Sequence, residues 1–213
     1  MMVSNNRMIR SIAVIYAVGV VGFVLPITHS IFIRLTPLII IFSLAVLHFY
    51  KSDLGNEKQQ KRLFFYSFVL TAGFLVELWG VNTGIVFGEY TYGVGLGPKI
   101  AGTPPIIGLN WVLMIYLTSA IFSPLKRHVF NGVVLPSLLM VGYDIIMEHV
   151  APKMEMWSWK NDLIPLQNYL MWGVLALFFH SIRYVLKIRD RNTMALPIFV
   201  VQTIFFLLIL ILY

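Results

Sequence analysis

The sequence predicts an all-α, polytopic membrane bundle of about seven transmembrane helices with its N-terminus inside, and three observations carry that prediction. Of 213 residues, 59% are hydrophobic and 12% charged, with a mean hydropathy of +0.83. Soluble domains are about a quarter charged, so most faces of this chain meet something other than water. The apolar residues form long runs, and about 20 of them in a row is what a helix needs to cross the hydrocarbon core. A membrane-spanning strand would alternate polar and apolar instead. The basic residues, finally, divide between alternate loops.

The first apolar run, 12–28, follows Arg7 and Arg10 as a secretory leader would. No small-x-small cleavage pattern comes after it and the next run begins almost at once, so it reads as a span. The remaining runs are 31–50, 63–79, 105–122, 129–149, 166–186 and 194–212. With the N-terminus inside, the inner loops collect twelve basic residues: Arg7, Arg10, Lys51, Lys58, Lys61, Arg62, Lys126, Arg127, Arg183, Lys187, Arg189 and Arg191. The outer side keeps four, Arg34, Lys99, Lys153 and Lys160. That bias sets the orientation and puts the C-terminus outside. It also accounts for the net charge of +7 without nucleic acid. Residues 1–213 read as one transmembrane domain, with no soluble domain, repeat or low-complexity tract. A cell (inner) membrane is the expected location.

Two connections stand out, both on the predicted outer side. Residues 80–104 hold seven glycines together with Thr83, Tyr90 and Tyr92, the composition of a shaped loop. Residues 148–165 hold Trp157-x-Trp159. Around them lie Glu77 at the end of the third run, and Asp144 and Glu148 at the end of the fifth. The i,i+4 spacing of the last two puts both carboxyls on one helical face. Asn110 and Trp111 open the fourth run, and Gln167, Asn168 and Trp172 the sixth. Alternating topology brings all of these to one depth. Ionisable residues inside spans are costly and point to function.

Each has a structural alternative. Glu148 could reach headgroup water, and Glu77 could cap a helix or pair with Lys99. The amides could join helices, and Trp157 and Trp159 could belong to an interfacial belt.

What is missing narrows the chemistry. There is no cysteine, hence no disulfide, thiolate metal site or cysteine nucleophile. The five histidines are scattered, unlike the clustered ligands of a di-iron hydroxylase. No paired aspartate-rich motif, phosphate loop, G-x-G-x-x-G or G-x-S-x-G occurs. Acid–base work by carboxyls in an aromatic cavity remains. A desolvated carboxylic acid can keep its proton and give it to an electron-rich double bond. The resulting cation is stabilised by carboxylates and aromatic faces. Captured by water it becomes an alcohol; captured by an internal double bond it becomes a ring.

The run from Glu77 to Tyr92 resembles the E-x-x-G-x-x-T-G-x-x-F-G-x-Y-x-Y signature of membrane carotenoid hydratases, proteins of the bisanhydrobacterioruberin hydratase and lycopene 1,2-hydratase type. Leu96-Gly97 to Pro104, Asn110-Trp111, Asp144, Trp157-x-Trp159 and 164–168 follow in the same order, so the resemblance covers roughly residues 70–175. The chain departs from it at His149, where a proline often follows the acidic residue.

The resemblance implies hydration without a cofactor, adding water to the terminal C1–C2 double bond of a long acyclic carotenoid. On that reading Glu77, Asp144 and Glu148 are the catalytic candidates. Thr83, Tyr90, Tyr92, Asn110, Trp111, Trp157, Trp159, Asn168 and Trp172 are the substrate-binding candidates. Other enzymes of the pathway are candidate partners. A carotenoid cyclase and a non-catalytic polyene binder stand as alternatives. The binder needs no intramembrane acids.

Overall fold

The computed structural model describes residues 4–51 and 56–213. The side chain of Lys58, counted above among the inner cations, lies outside the described residues. Among the described residues there are seven α-helices: α1 (Asn5–Val24), α2 (Pro26–Phe49), α3 (Asn56–Thr83), α4 (Ile106–Phe122), α5 (Leu135–Val150), α6 (Leu166–Val185) and α7 (Ala195–Leu212). Each overlaps one of the expected apolar runs, but the first break falls at Leu25 rather than after Thr28, because Pro26 starts α2. Five segments are long and apolar enough to cross a membrane: α1, α2, the Gln59–Thr83 part of α3, α5 with the π-helical turn before it, and α7.

The helix ends follow from local chemistry. Pro26 opens α2, where its fixed φ suits the first turn and its missing N–H costs nothing. Gly84 stops α3 in the left-handed region (φ 69°), its N–H bonding the Gly80 carbonyl at 2.8 Å. α3 thus runs one turn past the expected end of the third run, carrying Thr83 with it.

The centre of the bundle is α4, which packs against α2, α3, α5, α6 and α7. It buries Ile107, Trp111, Leu113, Met114, Ile115 and Leu117. A helix apolar all round belongs in an interior. Small residues let its neighbour come close: a Cβ on Gly73 of α3 would lie 2.7 Å from the Trp111 ring.

One element has no counterpart in the expected all-helical chain. Tyr90–Tyr92 (β1) pairs antiparallel with Trp157–Trp159 (β2), in the register Tyr90↔Trp159 and Tyr92↔Trp157. The two unusual connections are therefore joined to each other. Both strands read buried–exposed–buried, so their period of two turns all four rings to one face. Gly93 leaves β1 so close to the other loop that a Cβ would fall 2.2 Å from the Glu155 carbonyl oxygen.

At the opposite end of the bundle, Asp190 is fully buried. It pairs with Arg62 at 3.0 Å and Arg183 at 3.7 Å, and accepts hydrogen bonds from Tyr66 (2.6 Å) and Ser119 (3.3 Å). Two arginines that read as topology markers in the sequence are therefore also core partners. They tie the α6–α7 connection to α3 and α4.

Candidate functional site

The last turns of α3 and α5 and the first turns of α4 and α6 meet at one end of the bundle, and β1 and β2 close over them. Glu77, Asp144 and Glu148 are all buried there, at 3%, 0% and 2% exposure. Burial at this level requires either hydrogen-bond donors or a proton.

Glu77 has three donors. Its Oε2 accepts from the Tyr90 hydroxyl at 2.6 Å and the Tyr92 hydroxyl at 2.8 Å, and its Oε1 from the Trp111 indole N–H at 2.9 Å. Glu148 also has three. Its Oε2 accepts from the indoles of Trp157 (2.9 Å) and Trp159 (2.6 Å), and its Oε1 from Asn168 Nδ2 (2.9 Å). Asp144, one turn back on α5, receives only a 3.3 Å bond from the same Asn168 amide to its Oδ2. Its Oδ1 has no hydrogen-bond partner among the described residues. None of the three carboxyls forms an ion pair with Lys or Arg among the described residues.

The paired strands explain this geometry. The alternation in Tyr90-Thr91-Tyr92 aims two hydroxyls at Glu77, and the same alternation in Trp157-Ser158-Trp159 aims two indoles at Glu148. The facing rings support one another, with Tyr90 and Trp159 centroids 5.0 Å apart. Burial, followed by the neighbouring Glu77 carboxyl, pushes the Tyr90 and Tyr92 phenols well above their usual range. They therefore remain donors. Trp111 is backed by Trp172, stacked at 4.4 Å.

Between these groups is a cavity of about 30 Å³, lined by Glu77, Tyr90, Tyr92, Glu148, Asn168 and the three tryptophans 157, 159 and 172, with Phe87 and Ile107. A water needs ~10–15 Å³ of such space and two to four polar partners. The cavity thus has room for one or two waters. Asp144 does not line it and lies behind Asn168.

Several side chains are placed differently from the sequence reading. Thr83, expected to contact substrate, is exposed. Its hydroxyl donates to the Trp79 carbonyl (2.7 Å) and accepts from Ile85 N–H (3.2 Å), securing the end of α3 outside the site. Asn110 lines a different, larger cavity. Glu148 does not reach headgroup water, and Glu77 does not pair with Lys99, whose ammonium donates to the Tyr92 carbonyl instead. The indoles of Trp157 and Trp159 point inward to a carboxyl rather than out to an interface. Gln167 caps the glycine-rich loop through the Ile85 and Val86 carbonyls. His149, the departure from the family pattern, bonds the Ile145 carbonyl at 2.8 Å and faces away. The sequence reading missed Phe87 and Ile107 in the lining, and the strand pairing itself. The matching aromatic-x-aromatic triplets were the available clue to the latter.

A family model described as "Carotenoid biosynthesis protein" matches residues 35–213. Bisanhydrobacterioruberin hydratase of Haloarcula japonica is 30% identical over 105 residues, a match covering 46% of this chain and 36% of that protein. No solved structure matches the chain.

Proposed function

The chain belongs to the carotenoid biosynthesis protein family, and from that premise we propose that it hydrates the terminal C1–C2 double bond of an acyclic carotenoid, leaving a tertiary 1-hydroxy group. The observation that carries this reading is the water-sized polar cavity between Glu77 and Glu148. A cyclase must keep water from the cation, whereas this cavity offers water carboxylate and amide partners.

The donor count suggests the division of labour. Three carboxyls without a cation cannot all be charged at such burial. Asp144 and Glu148 share a helical face, and Asp144 has a bare oxygen, so that pair holds one proton. At rest the proton sits on Asp144, because Glu148, like Glu77, is held by three donors. Glu148, the member that lines the cavity, takes it from Asp144 and delivers it. The Glu148 O–H bond breaks as a C–H bond forms at C2, leaving the positive charge on tertiary C1. Glu77 is the carboxylate, held by three donors. It orients the water, stabilises the cation across the cavity, and takes the water proton as the new C–O bond forms at C1. Return of one proton from Glu77 by way of Glu148 to Asp144 restores the site, and no cofactor enters. Asp144 acts through Glu148 and is a positioning residue. General acid–base catalysis of this kind is worth about 10²–10⁴-fold.

The test is expression in bacteria that accumulate lycopene, with pigments resolved by liquid chromatography and mass spectrometry. The expected product is heavier by one water, more polar, and unchanged in chromophore. An isomer of equal mass with a shortened chromophore would replace hydration by cyclisation. Unaltered lycopene together with unaltered monocyclic, acyclic-ended carotenoids would leave only a binder.

A further inference from the structure

A second, much larger cavity lies beside the acid site. Its volume is about 510 Å³, within the ~300–1,000 Å³ range of small-molecule sites. It runs between α1, α2, α5 and α7, and no charged side chain among the described residues lines it. Among its polar lining groups, the Tyr16 hydroxyl lies 3.3 Å from Ser43 Oγ and Thr36 bonds the Phe32 carbonyl at 3.4 Å, while Gln202 Oε1 has no hydrogen-bond partner among the described residues. Val14, Val18, Leu35 and Leu38 form one edge and are exposed at 61%, 54%, 42% and 57%. They lie on α1 and α2, both membrane-length helices. The mouth therefore opens sideways, where lipid tails would be, and not toward water.

The inner end meets the acid site. Ile107 and Trp157 line both cavities. Trp157 presents its indole N–H to Glu148, so one side chain borders the apolar space and holds a catalytic candidate. Asn110, one turn from Ile107 on the same face of α4, lines the apolar cavity and makes no side-chain hydrogen bond among the described residues. Its amide is the open polar group closest in sequence to this partition.

We infer that the apolar cavity is the binding channel for the hydrocarbon chain of the substrate, which enters laterally from the bilayer between α1 and α2 and presents its end group to the acids across Ile107 and Trp157. The inference rests on the carotenoid reading above for the identity of the chain. Its chemistry stands on its own: an uncharged lining with a mouth toward lipid selects a long, unsubstituted isoprenoid and rejects a charged one. A diphosphate-bearing precursor has no cation to meet there.

The test reads binding separately from turnover. Val18→Trp and Leu38→Trp each add bulk at the exposed mouth without disturbing buried packing. Leu170→Trp, on an exposed α6 position away from the cavity, is the control. Each protein is purified in detergent from lycopene-accumulating cells, checked for a monodisperse elution profile, and its bound lycopene measured by visible absorbance. The two mouth variants are expected to retain about tenfold less pigment than wild type, a difference a blocked apolar pocket readily produces, while the control and Glu77→Gln retain it. Wild-type pigment levels in both mouth variants would overturn the channel, as would a wild-type protein that retains no lycopene. Pigment lost at the mouth with no hydrated product from wild type would keep the channel and refute the hydratase reading instead.

Discussion

Replacing Glu77 by glutamine separates charge from shape at the centre of the site. Three bonds to a charged acceptor become bonds to a neutral amide, a loss of about 1 kcal/mol each. Removing a buried charge offsets this by several kcal/mol. The donors also differ in adaptability. Trp111 Nε1–H can only donate, but the Tyr90 and Tyr92 hydroxyls can rotate and accept. A glutamine with its oxygen toward Trp111 and its NH₂ toward the tyrosines therefore keeps all three contacts, with the two phenol O–H groups turned away from it. Glu77→Gln is expected to elute and melt like wild type in detergent while hydration falls by about 10²-fold or more. Glu77→Ala is the contrast. It strands three buried donors at about 1–3 kcal/mol each, so both fold and activity should fail. Initial rates of product formation, with thermal unfolding of the same preparations, check both. Glu77→Gln turning over within about threefold of wild type, a difference of under 1 kcal/mol, would refute its role as base and cation stabiliser.

Four further outcomes are expected. Tyr90→Phe and Tyr92→Phe each remove one hydroxyl from Glu77 and should each cost about tenfold in rate, in line with ~1–3 kcal/mol per bond to a charged group. Burial and Glu77 raise both phenols, so the stability they contribute is present below the ordinary phenol range near ~10. It is lost only as pH rises through their higher folded values, and an ultraviolet titration should show two tyrosines ionising late or only on unfolding. Asp190→Asn leaves Arg62 and Arg183 buried without their counter-ion and should destabilise the protein by about 3–5 kcal/mol. The acid site lies at the other end of the bundle, so any folded fraction should keep wild-type product selectivity. Gly93→Ala drives a methyl into the Glu155 carbonyl. It should separate β1 from β2 and lower hydration, with the helical circular dichroism signal retained.

The helices were legible because the solvent imposes them. A hydrocarbon core demands runs of about 20 apolar residues, and those runs can be read without knowing what each helix touches. Depth was legible for the same reason: helices that alternate in direction bring Glu77, Asp144, Glu148 and Asn168 to one end. The shared face of Asp144 and Glu148 follows from helical periodicity alone. Thr83 shows where this reasoning stops. Its sequence neighbours all serve the site, yet one extra turn of α3 and a backbone bond turn its hydroxyl away.

What the sequence by itself determined, then, is an all-α bundle with membrane-length helices, a cluster of acids at one end, and membership of a carotenoid-pathway family through the Glu77–Tyr92 signature. Only the tertiary structure decided which donor serves which carboxyl, that Tyr90-x-Tyr92 and Trp157-x-Trp159 are two strands of one sheet, that Arg62 and Arg183 share Asp190, and that an apolar cavity abuts the acid site at Ile107 and Trp157. The physical reason is the range of the interactions. Hydrophobic periodicity and helix capping act between neighbours and are written locally. The partner of a buried polar group is chosen from segments far away in the chain, by the condition that no donor or acceptor in a low-dielectric interior be left alone.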